Sequence, residues 1–222
     1  MNCGIVFDID DTLYLERDYV RSGFEAVGEH LDASLRIAGF ANAAWSLFEE
    51  GVRGNTINRA LSILGIDPTE QLIQELIGAY REHVPRIALL EDVRAAINTL
   101  ASEGVPMGVI TDGPAASQRA KASALGLHQS IQTIIFTDEL GRGFSKPDPR
   151  SFVMIAAALG RPDRLTYVAD NPAKDFKAPH GLGWRTWRLR RPGGLHLAQD
   201  SGPDIDLETD RITAKDLACF LN

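Results

Sequence analysis

From Leu90 onward the chain alternates between a helical and a strand-like period, and few folds accept that pattern. A helical stretch over residues 91–103 stops at Gly104, and an apolar run over 106–111 follows. The spacing predicts further helices over 115–125, 150–159 and, shorter, 172–181, stopped by Gly126, Gly160 and Gly181. Between and after them, 133–137, 165–169 and 185–189 read as strands. Strands alternating with helices imply a parallel sheet with helices on both faces. Right-handed crossovers then bring the strand tips to one edge. Residues 4–9 supply a first strand, but the region between it and Leu90 has a different period. Val20, Phe24, Val27 and Leu31 fall on one helix face, and Leu72, Ile73, Leu76, Ile77 and Tyr80 repeat the spacing. Asp67-Pro68-Thr69 supplies a helix start, and Gly39, Gly51, Gly54 and Gly65 punctuate the rest. The expected organisation is an α/β core of residues 1–15 and 86–222, with an all-helical unit over 16–85 inserted after the first strand. The tail after Arg191 is loop-like, and Ile212, Leu217 and Phe220 could dock a terminal helix.

Charge and composition narrow the partners. The formal net charge is −7, which argues against a nucleic-acid backbone, since that needs clustered positive charge. The local exception is Arg185, Arg188, Arg190 and Arg191. The expected reading is an edge strand with a solvated basic face, and the alternative is a contact with an anionic partner or subunit. No run of apolar residues is long enough to span a membrane. No secretion signal is evident at the start of the chain. Cys3 and Cys219 lack metal-like spacing, and the expected location is the cytoplasm. The histidines, His30, His83, His128, His180 and His196, show no paired spacing and are expected to be structural or superficial.

Chemistry concentrates where strands end. Ile5-Val6-Phe7 runs into Asp8-Ile9-Asp10-Asp11-Thr12, so a buried strand delivers carboxylates to its tip. Ligands bind at such tips in open α/β sheets. Clustered buried carboxylates are costly unless a cation or proton compensates. Val109-Ile110 leads into Thr111-Asp112-Gly113, and Lys146-Pro147-Asp148-Pro149 precedes a helix. Tyr167-Val168-Ala169 leads into Asp170-Asn171-Pro172, with Asp175 beyond.

In this order, acidic pair, hydroxyl, lysine and acidic pair, the chain resembles the haloacid dehalogenase superfamily of hydrolases, most of which are Mg-dependent phosphatases. The motifs run from Asp8 to Asp175 and cover most of the chain. The resemblance implies a Rossmann-like core with a helical cap. It implies that Asp8 attacks phosphorus and forms an aspartyl-phosphate, and that Asp10 is the general acid and base. Mg²⁺ would take the carboxylates of Asp8 and Asp170 and the backbone carbonyl of Asp10. Thr111, with the backbone of Asp112 and Gly113, would bind the transferred phosphate. Lys146 would neutralise Asp8 and the phosphate, Thr12 would brace the turn, and Asp175 would hold Lys146 or a metal-bound water. Asp112 stands where relatives often carry asparagine, and an ionised carboxylate cannot donate, so its backbone is expected to face the anion. A carboxylate close to Asp8 is also expected to have a raised pKa at Asp10.

The implied function is a phosphatase acting on a small phosphorylated metabolite, as a monomer or homodimer. The alternatives are a phosphomutase or a 2-haloacid dehalogenase of the same superfamily, or a non-catalytic phosphate-binding or receiver-like module. Arg17, Tyr19, Arg21, Arg53 and Asn55 are candidates for contacting the non-phosphate part of a substrate.

Overall fold

The structure is a computed structural model and describes residues 3–221. The strand β1 (Cys3–Phe7) is buried along its whole length. A strand covered on both faces should read as such a continuous apolar run rather than alternate. β2 (Met107–Thr111), β3 (Thr133–Phe136), β4 (Arg164–Ala169), β5 (Arg185–Leu189) and β6 (Leu207–Thr209) complete the sheet among the described residues. All pairings are parallel, in the order β3-β2-β1-β4-β5-β6. The chain leaves β1 to build β2 and β3 on one side, then returns to build β4, β5 and β6 on the other. That reversal opens a crevice at the carboxyl end of β1.

Helices α1 (Glu16–Leu35), α2 (Phe40–Glu49), α3 (Thr56–Ile63) and α4 (Glu70–Glu82) fill the segment between β1 and the alternating region. They are followed by α5 (Glu91–Ser102), α6 (Ala115–Ala124), α7 (Arg150–Ala158), α8 (Lys177–Gly181) and α9 (Ala214–Leu221). The chain divides into two compact units, one running to Arg17 and resuming at Ala88, the other Asp18–Ile87.

In the first unit, Leu165, Tyr167 and Ala169 project from one face of β4 and join Val6, Ile110 and Ile135 in a core. Phe152, Ile155 and Leu159 cover this layer. Gly108 makes the approach possible, since a Cβ there would stand 2.6 Å from Ile155 Cδ1. Ile212 and Leu217 are buried at the tail, whereas the side chains of Cys219 and Phe220 lie outside the described residues.

In the helical unit, Val20, Phe24, Val27 and Leu31 are buried, the face their spacing defines. Thr69 caps α4 by accepting from Leu72 N. Tyr80 packs its ring edge-on against Tyr19 and close over Gly23. Among the described residues no helix is long and apolar enough to cross a membrane.

Candidate active site

The register sets Phe7 beside Val109 on one side and Val168 on the other. Asp8, the next residue, therefore sits between the tips that carry Thr111 and Asp170, and its backbone N–H donates to Val168 O at 2.9 Å. All three side chains are buried. Lys146 supplies the compensating charge, its side chain wholly shielded from solvent. Its Nζ lies 2.6 Å from Asp8 Oδ1 and 2.8 Å from Asp175 Oδ1, and donates to the Tyr167 hydroxyl at 3.1 Å. Burial disfavours the ammonium, but Asp175 and Asp8 outweigh it and hold its pKa well above the ordinary lysine value. At Asp8 burial dominates, and the carboxyl is raised to about 6 despite Lys146.

The lysine is delivered by the Thr111 loop. Asp112 Oδ1 accepts from Thr137 Oγ1 at 2.7 Å and from Lys146 N at 3.2 Å. The Asp112 carboxylate thus anchors the segment that brings in Lys146. Gly113 has φ 113°, a conformation that glycine alone adopts without strain.

Asp170 stands differently from its neighbours. One oxygen each of Asp8, Asp170 and Asp175 lies within 4.8 Å of the others. Asp175 is held by Asn171 N at 3.0 Å as well as by Lys146. Among the described residues nothing donates a hydrogen bond to the Asp170 carboxylate. Burial, then Asp175, Asp8 and Asp11, push its pKa well above the carboxylate range. An all-oxygen, acidic donor set with one buried carboxylate that no described donor reaches fits a hard divalent cation such as Mg²⁺.

Asp10 departs from expectation in the direction of its pKa alone. Its carboxylate lies outside that cluster, with Lys121 Nζ 2.7 and 2.9 Å from its two oxygens. Gln118 Nε2 donates to it at 3.1 Å, and the Tyr14 hydroxyl also donates. Burial alone would raise its pKa, but Lys121 and the hydrogen bonds from Lys121, Tyr14 and Gln118 win, and the carboxyl is lowered. The expected raised pKa is corrected for that reason: a cation in contact and the hydrogen bonds around it outweigh burial. Thr12 Oγ1 is buried and has no hydrogen-bond partner among the described residues, and its backbone carbonyl accepts from Arg191 at 3.2 Å.

The arginine cluster also needs correction. β6 forms the edge, so β5 is internal, and Arg188 is fully buried. Arg188 donates to the backbone carbonyls of Asp170, Gln199 and His196. Arg191 is buried against Asp92 and Thr12 O. Arg185 alone of the four is exposed on a strand. β6 escapes notice in the sequence because it is three residues long and largely exposed.

Lys121, Gln118 and Tyr14 are the residues that motif reading misses. A signal for two of them exists in α6, whose buried face is Ser117, Gln118, Lys121 and Ala122. A helix directly after a motif that turns polar residues inward is facing something other than a core.

The proposed substrate-contacting residues are partly engaged within their own units. Tyr19 is buried beside Tyr80 and His83. Arg53 lies over the Phe48 ring and donates to Phe48 O and Val52 O. Arg21 pairs with Glu25 at 3.6 Å and lies over the Trp45 ring. Asn55 flanks α3 without a side-chain cap bond, and Arg17 is half-buried.

A model of the haloacid dehalogenase-like hydrolase family matches residues 4–183. The chain is 29% identical over 222 residues to a glyceraldehyde 3-phosphate phosphatase of Methanopyrus kandleri, covering 93% of this chain and 92% of that protein. It is 31% identical over 224 residues to the Methanocaldococcus jannaschii protein of the same name, covering 93% and 92%. A 2-haloacid dehalogenase from Pseudomonas syringae pv. Tomato superposes with a TM-score of 0.65 at 22% identity, over 99% of both chains. That last likeness is one of fold.

Proposed function

The chain belongs to the haloacid dehalogenase-like hydrolase family, and from that premise we propose that it is a Mg²⁺-dependent phosphatase of small phosphorylated metabolites. The observation that carries the reading is the acidic trio Asp8, Asp170 and Asp175 beside Lys146 at the tip of β1. Displacing halide from carbon requires a carboxylate nucleophile but no divalent cation, so a dehalogenase would leave Asp170 without a purpose. Attack on a phosphate ester sets anion against anion, and there the same arrangement has a use. The relatives' names make glyceraldehyde 3-phosphate the first ester to try.

In the proposed reaction Asp8 attacks phosphorus, and the bond from phosphorus to the ester oxygen breaks. That oxygen leaves with a proton from Asp10, whose carboxyl, held low in the free protein, takes that proton up once the anionic ester lies beside it. Water then attacks phosphorus of the aspartyl-phosphate and gives a proton back to Asp10, and phosphate departs as Asp8 is restored. Lys146 holds Asp8 in place and offers positive charge to the phosphoryl oxygens. Thr111 and the backbone after it line the place where those oxygens would sit. Mg²⁺, held by Asp8 and Asp170, would screen the repulsion between the anions and stabilise the transition state. The helical unit would act as the cap that selects substrate and excludes water.

The test is phosphate release from a panel of phosphomonoesters, with Mg²⁺ and with chelator, for wild type and Asp8→Asn. We expect Mg²⁺-dependent release that the variant lacks. Halide release from a 2-haloacid with no ester turned over would overturn the reading. Release that required a bisphosphate activator would indicate a phosphomutase instead.

A further inference from the structure

The residues around Asp10 are unusual for a group that must move protons. Both its oxygens face Lys121 Nζ, and the ammonium is itself buried. Gln118 ties the same carboxylate to the phosphate side of the site. Its Nε2 donates to Asp10 Oδ2, and its Oε1 accepts from Thr111 Oγ1 at 3.0 Å. Tyr14, four residues along from Asp10, closes the third side. Lys121 and Gln118 stand three apart on α6, so one helix face carries both. The helix therefore fixes the Asp10 carboxylate relative to Thr111, across a sequence separation of about a hundred residues.

We propose that Lys121 is a positioning residue for the leaving-group step: through its contact with both Asp10 oxygens, and with Gln118 as bracket, it aims Asp10 at the ester oxygen. This rests on the phosphatase reading above. A buried lysine that only filled space would affect every substrate alike. One that acts through the proton donor matters in proportion to how badly the departing oxygen needs a proton. An alkoxide is a poor leaving group without one, whereas p-nitrophenolate departs readily unprotonated.

The experiment measures kcat/KM, which covers steps up to departure of the alcohol, on glycerol phosphate and on p-nitrophenyl phosphate. It uses wild type, Lys121→Met, Asp10→Asn and the double variant. Lys121→Met should lose about 100-fold or more on the alkyl ester and under about 10-fold on the aryl ester. In the Asp10→Asn background the lysine change should cost little further on either. The double variant buries no uncompensated charge, so it keeps the test open should Lys121→Met fail to fold. Equal losses on the two esters, or a full further loss on top of Asp10→Asn, would overturn the proposal. Wild type that hydrolyses neither ester in a panel where no ester works would sink the phosphatase reading itself, which is a separate result.

Discussion

Lys146 and Asp170 show how one site divides stability from function residue by residue. Lys146 is the cation against which Asp8 and Asp175 are buried. Replacing it with alanine leaves those carboxylates, and Asp170 beside them, in a low-dielectric pocket with no positive charge in contact. Breaking such a pair costs about 3–5 kcal/mol, because the remaining charge is stranded. Lys146→Ala should therefore lower the urea midpoint of the metal-free protein and abolish phosphate release. Asp170 has the opposite sign. Its carboxylate is buried among anions and accepts no hydrogen bond among the described residues, so ionisation opposes folding. Asp170→Asn should raise the melting temperature in chelator while removing activity with Mg²⁺. A fall in melting temperature on that change would mean that the carboxylate is satisfied in a way the geometry does not provide.

At the scale of elements, β5 and the segment after it support the loop that carries Asp170. Arg188 leaves β5 and reaches the carbonyls of Asp170, His196 and Gln199, together with Ser201 and Glu208. Asp11, in a left-handed turn after β1, holds the same segment through Leu195 N at 2.6 Å. Arg188→Met keeps the apolar stem but leaves several carbonyls without a donor, at about 1–3 kcal/mol for each that water cannot reach. The expected result is lower stability, faster amide exchange over residues 195–201, and a higher Mg²⁺ concentration for half-maximal phosphate release. Unchanged Mg²⁺ dependence would separate Arg188 from Asp170. Four arginines within seven residues suggested a solvated edge because sequence gives side-chain type, not the strand that later pairs alongside. The core was readable for the opposite reason. Apolar runs such as Ile5-Val6-Phe7 and Val109-Ile110 carry their burial in their composition, and glycines mark where helices stop. Asp8, Thr111, Lys146 and Asp170 were legible because each follows such a run or sits in a loop with a local signature. Lys121 and Gln118 were not, since their meaning comes from Asp10, more than a hundred residues away.

For the molecule as a whole, the burial of acids fixes how stability should respond to pH. Burial, then neighbouring charge, raises Asp8 to about 6, and burial followed by Asp10 raises Glu16 to about 7. Asp170 is raised as well, by burial first and then by Asp175 and Asp8. A group whose pKa is higher in the folded chain binds more protons there than in the unfolded chain. Its stabilising contribution is full below the ordinary carboxylate value and is lost as pH rises through the folded one. Asp8 alone accounts for up to roughly 3 kcal/mol across that window. Asp10 is shifted the other way, and its contribution falls away only in more acid solution, below the ordinary carboxylate value. Between about pH 5.5 and 7.5 the raised groups therefore decide the sign. In chelator the melting temperature should be higher at the acid end, by several degrees at about 2–4 °C per kcal/mol for a chain of this length. A divalent cation needs the same oxygens deprotonated, so it competes with those protons. Added Mg²⁺ should stabilise the protein most at the alkaline end and flatten or invert the slope. Thermal melts at the two pH values, each with chelator and with Mg²⁺, measure both effects at once. A melting temperature in chelator that climbs from about pH 5.5 to 7.5 would show that the acids are not buried as ionisable groups at the tip of β1. A slope in chelator of the expected sign that Mg²⁺ leaves untouched would place the cation elsewhere than on Asp8 and Asp170.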